Sequence, residues 1–121
     1  MRRIAAVLVG VSTLSAGWAA AWSGAWQPLR ASYIIYSGEL AERSAPTASD
    51  RTMTINVEGR AAKEMFESIG PDLAQTCSQE KGDRERGKQG VSCQYSAQDK
   101  VYRCWIGLNL RTGASVPTVS C

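Results

Sequence analysis

Alternating apolar and polar residues predict two strands in the first half of the chain. Residues 52–57 (TMTINV) place their large apolar side chains on one face, the period-2 pattern of a half-buried strand. Residues 32–40 (SYIIYSGEL) are rich in β-branched and aromatic side chains, which favour strands. The polar, proline-containing segment 42–51 (ERSAPTASDR) between them is typical of a surface loop.

A helical repeat follows the second strand. Residues 60–69 carry apolar side chains at positions i, i+3, i+4 and i+7, namely Ala62, Met65, Phe66 and Ile69. This spacing predicts a helix with one apolar stripe that packs on the sheet. Gly70 and Pro71 come directly after it and end the helix.

Three further strands are predicted in the last third of the chain. They cover residues 91–96 (VSCQYS), 101–111 (VYRCWIGLNLR) and 115–121 (SVPTVSC). Residues 78–90 (SQEKGDRERGKQG) hold seven charged residues and three glycines, a composition that predicts a mobile polar loop. The predicted fold is therefore α+β: a small antiparallel sheet of about five strands with one packed helix and two disulfides.

The cysteine count predicts the disulfides. The chain has four cysteines and no histidine, and an even number of cysteines in an exported chain implies two bridges with three possible pairings. No Cys-x-x-Cys pair is present, so a structural zinc site is not expected. The four are Cys77, Cys93, Cys104 and Cys121.

Hairpin register leaves two pairings in competition. A turn between residues 98 and 99 places Cys93 opposite Cys104, whereas a turn between residues 112 and 113 places Cys104 opposite Cys121. We prefer Cys104 with Cys121, which leaves Cys77 with Cys93 to close the charged loop. The Cys93 to Cys104 pair stays a competing prediction, because strand register read from a sequence is uncertain by one or two residues.

The N-terminus predicts export. Arg2 and Arg3 precede an apolar segment, residues 4–11, and small residues follow at 19–21 and 23–25. This is the pattern of a signal peptide, residues 1–25, cleaved near residue 21 or 25. Residues 26–121 then form a single periplasmic or secreted domain without stable membrane insertion. An uncleaved anchor is the alternative, but glycine, serine and threonine residues dilute the apolar stretch.

The charge balance limits the partners. The chain holds 14 Lys and Arg against 11 Asp and Glu residues, and loss of Arg2 and Arg3 with the signal lowers the net charge from +3 to +1. A nearly neutral surface gives no long-range attraction for nucleic acid or anionic membranes. We therefore expect a protein partner that is recognised by a local patch.

Catalytic chemistry is poorly supported. Without histidine the chain has no Ser-His-Asp or Cys-His nucleophile and no histidine metal ligand. Phosphate loops, dinucleotide fingerprints and calcium loops are also missing. No two carboxylates have a spacing that predicts a shared site. We expect no catalytic residue, no metal and no cofactor, and the protein is not predicted to be an enzyme; a carboxylate-only hydrolase is the least favoured alternative.

Four residues are candidates for binding. Arg84 and Arg86 lie in the charged segment 78–90, and Arg103 and Trp105 share one face of the strand at 101–111, opposite Tyr102 and Cys104. Tryptophan and arginine are the preferred anchors of protein interfaces.

The segment Tyr102 to Gly107 (YRCWIG) resembles, over six residues, the Tyr-x-Cys-x-x-Gly pattern of small periplasmic lysozyme inhibitors. The match is too short to assign a family. It implies only that a small exported domain with disulfides suits an inhibitor or immunity-type role against an exported enzyme or toxin. A structural accessory protein of the cell envelope is the alternative.

Overall fold

The computed structural model describes residues 22–118, which form one six-stranded antiparallel sheet and one helix. The order of the strands in the sheet is β2-β1-β3-β6-β5-β4, which confirms the α+β class. The elements are β1 (Arg30–Gly38), β2 (Arg43–Ser44), β3 (Thr52–Glu58), α1 (Gly59–Ser68), β4 (Arg84–Lys88), β5 (Val91–Ser96) and β6 (Val101–Asn109).

The helix α1 follows β3 without a linker and packs back on the sheet. Gly59 has a φ of +68°, a left-handed conformation that glycine adopts without a Cβ penalty and that permits the sharp turn. The predicted apolar stripe is confirmed, since Ala62 and Phe66 are buried in the core. The sheet contributes Val57, Cys93 and Cys104 to that core. We call this side of the sheet the helix face and the opposite side the distal face.

The chain after β6 crosses onto the distal face. The Asn109 amide donates to the carbonyl of Ala114 and the Val116 amide to that of Gly107, at 2.7 and 3.0 Å. A Cβ at Gly107 would come closer than 3.0 Å to the Val116 carbonyl oxygen, so the close approach requires glycine at this position. Residues 114–118 therefore lie against the sheet, and Thr118 reaches the hydroxyl of Ser92 at 2.6 Å.

Three strand predictions need correction. The sheet has six strands because Arg43–Ser44 pairs with β1 and Arg84–Lys88 pairs with β5. The segment predicted as a mobile loop, residues 78–90, thus contains a strand. The strand predicted at 115–121 is wrong over residues 115–118, where Ser115 makes one bridge to Leu108 and the chain then leaves β6; residues 119–121 lie outside the described part.

One disulfide lies within residues 22–118, and it joins Cys93 to Cys104 across β5 and β6. The two cysteines are directly opposite in register. The preferred pairs Cys104 to Cys121 and Cys77 to Cys93 are therefore wrong, and the competing prediction is correct. The turn at residues 97–100 sets this register. Cys77 is not a free thiol, and Cys121 lies outside the described residues.

The predicted signal peptide falls mostly outside the described residues, so its cleavage stays a prediction. Residues 22–29 form no regular secondary structure and are exposed. None of the described helices is both long enough and apolar enough to span a membrane.

Candidate functional site

Two of the predicted binding residues, Arg84 and Arg86, lie on the helix face and contact Asp72. Arg84 donates to both carboxylate oxygens of Asp72, at 2.7 and 3.0 Å, and Arg86 donates to Oδ1 at 2.6 Å. Arg86 also donates to the carbonyls of Phe66 and Ile69 at the end of α1, at 2.8 and 3.2 Å. These contacts fasten the edge strand β4 to the helix.

Both guanidinium groups lie over the ring of Phe66. Their Cζ atoms are 5.1 Å (Arg84) and 4.4 Å (Arg86) from the centroid of the ring. Phe66 in turn packs edge-on against Tyr102, with 5.2 Å between the ring centroids, and the rings of Tyr102 and Tyr95 have centroids 4.8 Å apart. The arginine side chains thus cover one end of the aromatic core. Because internal contacts occupy both groups, this arrangement favours a structural role for them.

The ion pairs lower the pKa of Asp72 from 3.8 to about 2, mainly through the hydrogen bonds from Arg84 and Arg86. A carboxyl whose pKa is lower in the folded state stabilises the fold above its unfolded pKa, and that contribution is lost as the pH falls through the folded pKa. The contribution of Asp72 is therefore complete above about pH 4 and disappears towards pH 2.

We expect Asp72→Asn to reduce the acid sensitivity of the domain. The urea midpoint of the wild type should fall more steeply between pH 4 and pH 2 than that of the variant, because only the wild type loses this pair on protonation. Urea titrations at several pH values measure the difference. Asp99→Asn, in the exposed β5–β6 turn, is the control and should follow the wild type. Parallel acid profiles for wild type and Asp72→Asn would contradict the assignment.

The other two predicted residues, Arg103 and Trp105, lie on the distal face, away from Arg84 and Arg86. Across β4, β5 and β6 the register aligns Glu85, Gln94 and Arg103. Trp105 is two residues further along β6 and therefore on the same face. The structure thus separates the four candidates into two pairs on opposite sides of the sheet.

Trp105 lines a groove of about 530 Å³ on the distal face, whereas Arg103 is exposed beside it. The apolar part of the lining includes Leu40, Leu73 and Pro117, and the polar part includes Glu85 and Gln94. One wall is formed by residues 73–77, after α1, and another by residues 117–118.

Glu85 is the residue of this groove that the sequence analysis missed. Its side chain is buried, with 8% exposure, although it stands in a run of charged residues. The carboxylate Oε2 accepts a hydrogen bond from the Cys77 amide at 2.6 Å, and the Glu85 carbonyl accepts one from the Leu73 amide at 2.8 Å. These two bonds tie the wall at residues 73–77 to β4. The alternation Arg84, Glu85, Arg86 was the available signal, since it places the carboxylate on the face opposite the arginines.

Among the described residues, Glu85 is the one carboxylate that lines the groove, and the lining also includes the basic residues Arg86 and Lys88. Within residues 22–118 no Lys or Arg forms an ion pair with Glu85. A second acceptor on the same face, Oδ1 of Asn56, is buried and has no hydrogen-bond partner in the described chain, and Asn56 is opposite Trp105 in the register. Asn56 Oδ1 is thus a buried acceptor without an internal donor in the described chain, which is costly, whereas the Glu85 carboxylate accepts from the Cys77 amide.

Residues 22–118 contain no group of three or more His, Cys, Asp or Glu side chains suited to a metal ion. Compared with known proteins, the chain matches no family model, no curated protein and no solved structure.

Proposed function

We propose that the protein is a non-catalytic, exported binding domain whose distal groove receives a basic side chain of a protein partner. The observation that carries this proposal is the buried carboxylate of Glu85 in a groove lined by Trp105 and aliphatic side chains. Inhibition of an exported enzyme or toxin is the form of this role that we favour.

The charge of the ligand follows from Glu85. A carboxylate taken out of water is stabilised by a cation and by hydrogen-bond donors, and the internal donor to it that the structure identifies is the Cys77 amide. An arginine or lysine side chain from a partner would supply both charge and donors. Arginine is better suited, because its planar guanidinium also stacks on the face of a tryptophan such as Trp105.

The shape of the ligand follows from the apolar lining. Lysine and arginine carry an aliphatic stem that packs on apolar surface while the charged end finds a partner. Leu40, Leu73 and Pro117 offer such a surface around Trp105. A volume of about 530 Å³ holds one such side chain together with part of its neighbour, so we expect recognition of a short basic segment.

The compartment fits this role. A disulfide between two strands, such as Cys93 to Cys104, is typical of proteins that mature in an oxidising environment. We therefore propose a periplasmic or secreted location, which is also what the signal peptide expected at residues 1–25 implies. The exposed Arg103 lies beside the groove and would contact the rim of the partner.

We expect the groove to bind N-acetyl-arginine amide and to reject its neutral isostere, N-acetyl-citrulline amide. The Glu85 carboxylate would form an ion pair as well as hydrogen bonds with the guanidinium of the first ligand, whereas the neutral ureido group of the second offers hydrogen bonds without a charge. Nuclear magnetic resonance titration, followed at the indole N–H of Trp105, measures the response. Equal responses to the two ligands would contradict recognition of a cation.

Two variants test whether Glu85 is the residue that binds the arginine ligand. Glu85→Gln keeps an oxygen for the Cys77 amide but removes the charge, and it should weaken arginine binding about tenfold or more, since a hydrogen bond to a charged group contributes about 1.5–3 kcal/mol. The control is Glu58→Gln, which removes a carboxylate from β3, on the same face of the sheet as Glu85 but outside the groove lining. This variant should bind the ligand as the wild type does. Weaker binding in the Glu58 variant alone would move the site to the β3 side of the sheet.

A further inference from the structure

One edge of the sheet is left open over most of its length. The outer neighbour of β1 is β2, which pairs with β1 only at Ser37 and Gly38. Over residues 30–36, β1 pairs with β3 on its inner side, and no other strand within residues 22–118 pairs with its outer side. Residues 30–36 therefore present unpaired backbone groups over about 23 Å, which is a template for another strand.

The two edges of the sheet differ in their protection. At the opposite edge, four of the five residues of β4 are charged, and the chain at Leu73 covers it through a hydrogen bond to Glu85. Charged side chains and covering segments are the usual protection of an edge against pairing. In β1 the sole charged residue is Arg30, at the very end, and its guanidinium pairs with Glu58 at 3.5 Å. The open edge thus lacks the protection that the covered edge has.

We infer that this edge pairs with a second copy of the same chain, antiparallel β1 to β1, which would join two sheets into one. The open segment, residues 30–36, has Tyr33 at its centre. A two-fold axis through Tyr33 pairs residues 30–36 of both copies and leaves β2 in place. Tyr33 would then lie directly opposite its symmetry mate, where cross-strand side chains are about 4.5–5.5 Å apart at Cβ.

The exposure of Tyr33 supports a second copy as the occupant. Its side chain is 68% exposed although it stands in the middle of a strand, and Leu29, immediately before the strand, is also exposed. Pairing of the two Tyr33 rings across the axis would bury both rings and would stabilise the dimer by more than the buried area alone. The edge is uncharged between Ala31 and Gly38, so two copies meet without like-charge repulsion. This inference uses no groove residue and stands apart from the proposed function.

The test is the oligomeric state of the exported chain with its disulfides intact. Sedimentation velocity over a wide concentration range should show a reversible monomer–dimer equilibrium. Tyr33→Lys should raise the dimer dissociation constant at least about tenfold, because two lysines would face each other at the axis. The matched control Leu110→Lys changes another exposed apolar residue, beyond β6, and should dimerise as the wild type does.

A charge-swap experiment keeps the inference falsifiable if a single variant is poorly folded. Tyr33→Lys and Tyr33→Glu should each be monomeric, and an equimolar mixture should recover a heterodimer through the opposite charges. A wild type that stays monomeric at all concentrations would overturn the inference. A dimer that persists unchanged in Tyr33→Lys would place the interface elsewhere and would also overturn it.

Discussion

Replacing Phe66 with alanine should lower the free energy of unfolding by about 3–5 kcal/mol, the usual cost of removing a buried aromatic ring. Phe66 is 1% exposed and is the largest fully buried side chain described. Its ring contacts Tyr102 on one side and the guanidinium groups of Arg84 and Arg86 on another. Loss of the ring therefore opens a cavity and also removes the surface on which both arginines stack.

Urea unfolding at neutral pH, followed by circular dichroism, measures this loss. Phe66→Leu keeps most of the volume and should cost clearly less. Met65→Ala, at a neighbouring and only partly buried position of α1, is the control for helix propensity and should also cost less than Phe66→Ala. A Phe66→Ala variant with a midpoint near that of the wild type would show that the helix contributes little to the core.

Where apolar periodicity was strong, the sequence predicted the structure well. The helix expected at 60–69 is α1 at Gly59–Ser68, and the strands expected at 32–40, 52–57 and 91–96 match β1, β3 and β5 closely. In each of these segments local preference and burial agree, because the residues that favour the element also face the core. The face assignment in β6 is also correct, with Cys104 towards the helix and Trp105 on the distal face.

The edge strand β4 and the groove beside it were not predicted, because the residues of β4 are mostly charged. Seven charges in residues 78–90 predict a mobile polar loop, yet the guanidinium groups of Arg84 and Arg86 lie over the Phe66 ring and both pair with Asp72. Neither Asp72 nor Phe66 is close to β4 in the sequence, so no local pattern predicts these contacts. The burial of Glu85 depends on them, since the pairing of β4 with β5 and the position of residues 73–77 place its carboxylate in the groove.

The pairing of the cysteines depended on one turn. Two hairpins could each place a cysteine, Cys93 or Cys121, opposite Cys104. The alternation of apolar and polar residues is the same for both hairpins and does not distinguish between them. The structure has the hairpin at residues 97–100, and the crossing of residues 114–118 onto the distal face removes the second hairpin. Glycines at 90 and 107 permit that crossing, because a Cβ at either position would come closer than 3.0 Å to the crossing chain. A long-range contact of this kind cannot be read from local propensity.

The second large effect is expected from removal of the Cys93 to Cys104 disulfide. The double variant Cys93→Ala/Cys104→Ala should lose about 3 kcal/mol of stability, because the bridge closes a loop with a sequence separation of 11 and so restricts the unfolded chain. This is a large share of the roughly 5–15 kcal/mol of a typical domain. Urea unfolding of oxidised wild type and of the variant measures the loss, and the wild type in reductant is compared with both.

Peptide mapping without reduction tests the connectivity that underlies this prediction. With Cys93 and Cys104 joined, the even cysteine count leaves Cys77 and Cys121 as the pair available for a second bridge. We therefore expect two linked peptides, one holding Cys93 with Cys104 and the other holding Cys77 with Cys121. Because Cys77 and Thr118 both line the groove, a Cys77→Ser/Cys121→Ser variant should retain the fold but weaken arginine binding in the groove. A linked peptide that holds Cys104 with Cys121 would contradict the register of β5 and β6.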